Sequence, residues 1–497
     1  MFEYQTKTDK VGQEIWSLTT LQPLAPDALT PFSSSVLMEL INRGWYEHYA
    51  ALGFDPRPRS QVVRMHAGRP YFNLTLAARL EAEQADVPPA QFVINGRRTP
   101  VCTWEKSGFL GGLRAGRAQK RMENRITELN AAYPDILVRV RNWYAKTGDL
   151  KWTQADILQV MEEIERIGVQ SFAAFLAARR SLEQAYNRLL VLTRDQIALP
   201  ENLARINQAL PTGDLVETRM IAELSAQSGA DLSSWLAEFG HRAAGEGELQ
   251  NPRWDEEPDL LRRLRSHYAT TAPDAASPPS SIDEQVLLTA AGKGRKEAAA
   301  LLTSMESALT LQSRALNAVA YILAGTRRWA LAAAREAISD RRLVDSTEIF
   351  FYELEEIKQM MTGEWNISAM EEIRATAAKR REVYAGHLAL MPGDLLAGDA
   401  EAFSVVAGTP AGRGQASGPF RSVIGLDAEL EPGTIVGIAE PDSGWSLLLP
   451  LVNGVIGAYG TPVDPLAAAA RSAAVPMLTG FGSGYAELKV GDMVTLE

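Results

Sequence analysis

Residues 431–494 read EPGTIVGIAEPDSGWSLLLPLVNGVIGAYGTPVDPLAAAARSAAVPMLTGFGSGYAELKVGDMV, and this stretch decides the fold of the C-terminal part of the chain. Three short apolar runs, at residues 434–439, 454–458 and 475–478, have the length and composition of buried strands. An alanine-rich run at residues 465–474 has the composition of a helix. Strands that alternate with a helix predict a small α/β layer domain.

This stretch resembles the swivelling phosphohistidine domain of the phosphoenolpyruvate (PEP)-utilising enzymes, the family of PEP synthase and rifampin phosphotransferase. The matching pieces are EPG at 431–433, DSGW at 442–445, the glycine-rich turn at 457–460, Arg471 with the Val-Pro pair at 475–476, and GDMVTL at 491–496. The resemblance implies that residues 404–497 form a degenerate swivelling phosphohistidine-like domain.

The position that carries the phosphoryl group in that family is occupied here by Pro465. In the family the glycine-rich turn is followed by Ser-His-Ala-Ala, whereas this chain has Asp-Pro-Leu-Ala at 464–467. Proline has no nucleophile, so the resemblance implies that phosphohistidine chemistry is lost at this position. Asp464 can in principle form an acyl phosphate, but an aspartate before proline is more often a turn residue.

The composition indicates a globular protein with a negative net charge. Its 497 residues suffice for roughly three domains; 46% are hydrophobic, and the formal net charge is −11. This charge argues against a general nucleic-acid binder. The opening residues are polar and no apolar run is long enough to span a bilayer, so we expect no signal peptide and no membrane partner.

The few cysteines and histidines limit the chemistry further. The lone cysteine, Cys102, cannot form an internal disulfide and fits a reducing compartment, so we expect a cytoplasmic protein. Five histidines without HxxxH or HxH spacing lead us to expect no metal site and no cofactor. Two basic runs, at residues 114–121 and 262–265, are interpreted as solvated helix faces rather than a nucleic-acid footprint.

The N-terminal part mixes several local patterns. Residues 61–74 alternate in polarity and turn at Gly68, which predicts a β-hairpin. Residues 106–121 hold four glycines among basic side chains but neither GxxxxGK[ST] nor GxGxxG, so a mobile loop is favoured over a phosphate-binding loop. We expect residues 1–120 to form a mixed segment that leads into a helical domain.

The middle of the chain has the periodicity of helices. Apolar residues recur at spacings of three and four in residues 157–192, and residues 284–342 predict two long helices broken near Gly325. Residues 273–282 are a Pro/Ser-rich loop, and the glycine-rich residues 393–418 have the composition of a flexible hinge. The resemblance implies a large, mainly α-helical substrate-binding-type domain at residues 121–395, and hence a multidomain α+β protein.

The densest motif outside the C-terminus is FGHRAAGEGELQNPRWDEEP at residues 239–258. It resembles the GHRxxGExxLxxPRWxExP pattern of the rifampin-phosphotransferase branch of the family. His241 can move a proton near neutral pH, and Glu246 can accept protons or orient the imidazole. The arginines of the motif can clamp a phosphate or carboxylate. A buried ion-pair network that ties a loop to the helices is an equally good interpretation.

Two hypotheses about function follow. In the first, the helical domain binds an apolar, hydroxyl-bearing small molecule, and the C-terminal domain is a rigid cover. If this protein is catalytic, His241 is the acid/base of a lyase- or isomerase-type reaction and Glu246 its orienting partner. The expected substrate-binding residues are Arg242, Glu248, Arg253 and Trp254. In the second hypothesis, the chain is a non-catalytic or accessory subunit of a split phosphotransferase, with the ATP-grasp domain on a separate protein.

Overall fold

The computed structural model describes residues 2–105, 108–148, 164–193, 200–226, 231–270, 281–362, 370–406, 408–427 and 430–496. Its helices are α1 (Pro31–Ala51), α2 (Leu74–Ala85), α3 (Gly108–Gly148), α4 (Val169–Leu192), α5 (Pro200–Gln208), α6 (Val216–Ala226), α7 (Ser233–Phe239), α8 (Pro258–Thr270), α9 (Ser281–Ala290), α10 (Arg295–Ser339), α11 (Leu354–Thr362), α12 (Met370–Leu388) and α13 (Pro465–Ser472).

The strands of the described residues form two sheets. They are β1 (Glu3–Thr6), β2 (Ile15–Ser17), β3 (Val63–His66), β4 (Arg69–Asn73), β5 (Gln91–Ile94), β6 (Arg97–Pro100), β7 (Leu395–Ala397), β8 (Ala400–Ser404), β9 (Thr409–Pro410), β10 (Ala416–Val423), β11 (Ile435–Ile438), β12 (Gly454–Gly457), β13 (Met477–Thr479) and β14 (Met493–Leu496).

The first sheet joins the two ends of the helical part of the chain. Its strand order is β3-β4-β2-β7-β8-β1-β5-β6, so β7 and β8, which follow the last long helix, lie between N-terminal strands. The predicted hairpin of residues 61–74 is confirmed as β3 and β4, with Gly68 at a φ of 75° in the turn. The glycine-rich residues 393–418 hold strands rather than an open hinge, because Leu395, Leu396 and Ala397 are buried between β2 and β8.

The second sheet contains the predicted C-terminal α/β elements. Its order is β14-β10-β11-β12-β13-β9; β10 to β13 are parallel, and the two edge strands are antiparallel to their neighbours. The helix α13 connects β12 to β13, as a parallel crossover requires. We refer to residues 408–427 and 430–496, which contain this sheet, as the C-terminal unit.

The helices pack around the 45-residue helix α10, which contacts α3 and α4 along its length. The predicted break near Gly325 is wrong, because α10 runs through this residue without interruption. A Cβ at Gly325 would lie 2.2 Å from a ring carbon of Trp143 in α3. The glycine therefore serves the close approach of two helices and does not end one.

The predicted loop at residues 106–121 is also wrong from Gly108 onward, where α3 begins. Ala118, Met122 and Ile126 are buried at spacings of four, and their packing outweighs the low helix propensity of the nearby glycines. Most of the predicted loop at residues 273–282, and residues 157–163 of the predicted helical pattern, lie outside the described residues.

The largest hydrophobic core is continuous from the helices into the C-terminal unit. It includes Phe32 and Trp329 from the helical part together with Val436 and Leu466 from the C-terminal unit. The two parts are therefore joined by buried apolar contacts. None of the described helices is both long enough and apolar enough to cross a bilayer.

Candidate functional site

The motif at residues 239–258 forms a closed loop between α7 and α8. The backbone N–H of Trp254 donates to the carbonyl of Arg242 at 2.9 Å, and the N–H of Asp255 donates to the carbonyl of Gly240 at 2.9 Å. The indole of Trp254 is 1% exposed and packs against Trp235, with 5.4 Å between the ring centroids. Trp254, an expected ligand contact, thus lies in the core and holds the base of the loop.

Arg242 links this loop to the C-terminal unit. Its guanidinium is fully buried, forms an ion pair with Glu246, and lies 3.6 Å from the carboxylate of Glu217. Its Nη2 donates to the hydroxyl of Ser443 at 2.7 Å. Burial alone would lower the pKa of Arg242, but the charges of Glu246 and Glu217 raise it above the ordinary value. Arg242 is therefore a fixed cation at the junction.

His241 is buried against an aromatic ring. Its imidazole stacks on Tyr321 of α10 with 3.3 Å between centroids, and its Nε2 lies 3.1 Å from Oδ1 of Asn317. Burial, followed by the charge of Arg242, lowers the pKa of His241 well below 6.5. The imidazole is therefore neutral near pH 7 and donates from Nε2.

Neither Glu246 nor Glu248 is a hydrogen-bond partner of His241. Glu246 pairs with Arg242, and its backbone N–H donates to Asp442 at 2.9 Å, so Asn317 rather than Glu246 orients the imidazole. An arginine is a better partner for a buried carboxylate than a neutral imidazole.

Glu248 accepts hydrogen bonds from the start of α1. The donors are the backbone N–H of Thr30 at 2.7 Å, its hydroxyl at 3.0 Å, and the hydroxyl of Ser33 at 2.8 Å. Burial raises the pKa of Glu248, and these hydrogen bonds oppose the shift. A carboxylate at a helix N-terminus also meets the positive end of the helix dipole. Glu248 therefore fixes α1 to the loop.

Arg253 has hydrogen-bonding capacity that the protein does not use. Its Nη2 donates to the carbonyl of Glu246 at 3.0 Å, while Nε and Nη1 have no partner among the described residues. The residue is 2% exposed, and burial lowers its pKa.

Pro465, at the position that the resemblance assigns to the phosphoryl carrier, lines a small cavity of about 10 Å³. This volume has room for one water molecule. Pro465 is the first residue of α13, a position that suits proline. Asp464 pairs with Arg179 of α4, and Asp442 and Ser443 line the same cavity. Because these last two residues also contact the 240–254 loop, the two candidate regions meet at the junction.

Several residues of this arrangement escaped the sequence analysis. Asn317 and Tyr321 lie one helical turn apart on α10, and Arg179 lies within the apolar stripe of α4. The available signal was a polar side chain on a helix face that is otherwise buried. In the described residues, no group of three or more His, Cys, Asp or Glu side chains is placed to hold a metal ion.

Comparison with known proteins adds one finding. Residues 188–341, about a third of the chain, match a family model described as the rifampicin phosphotransferase fourth domain. The matched segment contains the 240–254 loop together with Asn317 and Tyr321, which contact His241. A comparison with curated protein sequences gave no match. The family match supports a relationship between this chain and the PEP-utilising, rifampicin phosphotransferase-like proteins.

Proposed function

We propose that this protein binds a small, oxygen-bearing molecule beside the 240–254 loop, under the C-terminal unit, and that it does not transfer phosphoryl groups through Pro465. The observation that carries the proposal is the buried guanidinium of Arg253, whose Nε and Nη1 have no partner. A buried donor without a partner costs about 1–3 kcal/mol. A hydroxyl, carbonyl or carboxylate oxygen of a ligand would remove that cost.

The surroundings of His241, in the same loop as Arg253, favour a ligand with an apolar part as well. Tyr144 and Tyr321 present aromatic rings next to His241, and aromatic walls with a few polar groups are typical of small-molecule sites. If the ligand is turned over, His241 is the group that moves a proton, in a lyase- or isomerase-type reaction. Its lowered pKa favours the neutral imidazole, which can accept a proton but is a weak base.

Two features favour a fixed cover over a moving phosphoryl carrier. The side chains at the carrier position are a proline and an aspartate that is already paired with Arg179. The C-terminal unit is also held by a buried hydrogen bond from Gln312 to the carbonyl of Val463 at 3.0 Å and by a partly buried one from Arg471 to the carbonyl of Pro211 at 3.1 Å. A domain that travels between sites would have to break these contacts in every cycle.

Native mass spectrometry of the gently purified full chain tests the proposal. We expect the wild-type protein to retain a small molecule and Arg253→Leu to lose it. Arg188→Leu is the control, because Arg188 pairs with Glu297 at an exposed site. Equal retention by Arg253→Leu would overturn the assignment of the site. Retention of a second polypeptide with ATP-grasp character, and no small molecule, would instead favour the accessory-subunit hypothesis.

The absence of phosphoryl transfer has its own test. The full chain is incubated with labelled ATP or labelled PEP and then digested. We expect no label on the peptide that contains residues 461–467. Label on Asp464 would contradict the proposal and identify this carboxylate as a substitute carrier.

A further inference from the structure

We propose that a groove between the C-terminal end of α2 and the first half of α3 binds a small oligophosphate anion. The groove has a volume of about 540 Å³, within the range of pockets that hold small ligands. It is remote in sequence from the 240–254 loop. Its lining consists of Gln84, Ala85, Arg114, Arg117, Lys120, Arg121 and Asn124.

The helix places its cations on one side. Arg114, Arg117, Arg121 and Asn124 follow one another at spacings of three, four and three, which puts them on one face of α3. From Arg114 to Arg121 the helix rises roughly 10 Å. The charges therefore form a line that matches an extended anion better than a single compact one. The line begins in the second turn of α3, so side chains rather than the helix N-terminus make the site.

The charges in the groove are poorly balanced by the protein itself. Asp86 lies 3.4 Å from Arg114, while none of the residues that line the groove carries a carboxylate. The nearby Glu81 and Glu83 face other arginines. The cluster is thus a positive patch on a protein with a net charge of −11, and a bound anion would neutralise it. Guanidinium groups bind phosphate oxygens through paired hydrogen bonds.

The walls of the groove are held in place before any ligand binds. The side-chain amide of Gln84 donates to the carbonyl of Asp55 at 2.9 Å, and the N–H of Asp55 donates back to Gln84 at 2.9 Å. The guanidinium of Arg121 lies over the ring of Phe54, 5.7 Å from its centroid. A preformed site loses less entropy on binding than a flexible one.

A small anion fits this groove better than a nucleic acid. A polymer would extend beyond the four cations and meet the surface of a protein that is acidic overall, and like charge there opposes its binding. The chemistry that the groove recognises is a chain of phosphates. Such a chain occurs both in inorganic triphosphate and in a nucleoside triphosphate, and the experiment separates the two.

Isothermal titration of the full chain with inorganic triphosphate, ATP and adenosine tests the proposal. The groove variant is Arg117→Glu with Lys120→Glu. The matched control is Arg263→Glu with Lys293→Glu, which makes the same change in net charge at exposed positions outside the groove. We expect wild-type and control proteins to bind triphosphate, and the groove variant to bind it at least about ten-fold more weakly.

The three ligands distinguish the possible sources of binding. Binding of triphosphate and ATP with similar affinity, weakened by added salt, supports a site for the phosphate chain. Tighter binding of ATP, with adenosine inactive, supports a nucleotide held through the same phosphates. Binding of adenosine alone, equal weakening in both variants, or no binding of triphosphate by the wild-type protein would each overturn the proposal. Circular dichroism spectra check that both variants are folded.

Discussion

Arg179 and Asp464 form a buried ion pair, with 2.5 Å between Nη1 and Oδ1, across 285 residues of sequence. Asp464 also accepts hydrogen bonds from the backbone N–H and the hydroxyl of Thr461, each at 2.7 Å. Arg179 in turn donates to the carbonyl of Thr19 at 2.5 Å. The residue beside Pro465 therefore fastens the C-terminal unit to α4 and to the chain that precedes α1.

Asp464→Asn should lower the free energy of unfolding by about 3 kcal/mol, because the substitution leaves a buried guanidinium without its closest carboxylate. Glu183, 3.2 Å from Nε of Arg179, limits the loss. Urea unfolding followed by circular dichroism measures the change. Glu297→Gln is the matched control: its ion pair with Arg188 is about half exposed, so its loss should cost no more than about 1 kcal/mol. Equal losses would show that the buried pair does not hold the unit.

Elements with a strong local pattern could be predicted from the sequence. The β3–β4 hairpin follows from alternation and Gly68, and the C-terminal α/β elements follow from short apolar runs around an alanine-rich helix. The motif around His241 could be singled out because it is dense in chemically active residues. In each case the information lies in short local patterns of the sequence.

Features that depend on distant residues could not be predicted. The insertion of β7 and β8 into the N-terminal sheet and the contact of Asn317 with His241 join segments far apart in the chain. The predicted helix break at Gly325 is wrong for the same reason: the glycine is required by Trp143, which lies on another helix. At such positions tertiary packing outweighs the local helix propensity of the residue.

His241→Phe should abolish ligand binding or turnover while leaving the fold nearly unchanged. Phenylalanine can keep the stack on Tyr321 but cannot donate to Asn317, whose Oδ1 also lies 3.4 Å from Nη1 of Arg242. The expected loss in stability is therefore below about 1.5 kcal/mol. Unfolding in urea and ligand retention in native mass spectrometry are measured on the same preparation. Tyr321→Leu, which removes the stack, should cost more stability than His241→Phe, and the reverse order would contradict this role of the ring.

Asp442 should make stability decrease as pH rises through the acidic and neutral range. Burial, with a further contribution from Glu246, raises the pKa of Asp442 from 3.8 to about 7 in the folded protein. The folded state then binds this proton more tightly than the unfolded state. Its contribution to stability is complete below about pH 4 and is lost as pH approaches about 7, with a slope of at most about 1.4 kcal/mol per pH unit.

Asp442→Asn should flatten this dependence, because asparagine does not titrate. Urea unfolding of the wild type and of each variant between about pH 4.5 and about pH 8 gives the slopes. Asp399→Asn is the control, since the side chain of Asp399 is fully exposed and should leave the slope unchanged. An unchanged slope in Asp442→Asn would mean that another buried group dominates, and Glu440, whose pKa burial raises to about 8, is then the next carboxylate to replace.

Gly325→Ala and Gly116→Ala should change stability in opposite directions, although both glycines lie inside long helices. At Gly325 the new methyl group would overlap Trp143, which is buried, and overpacking of this kind costs about 1–3 kcal/mol. At Gly116 a Cβ meets nothing within 4 Å, so alanine should gain up to about 1 kcal/mol from its higher helix propensity. Thermal unfolding of the two variants measures both effects. If Gly325→Ala were as stable as the wild type, α3 and α10 could separate without cost, and Gly325 would not be required for their close packing.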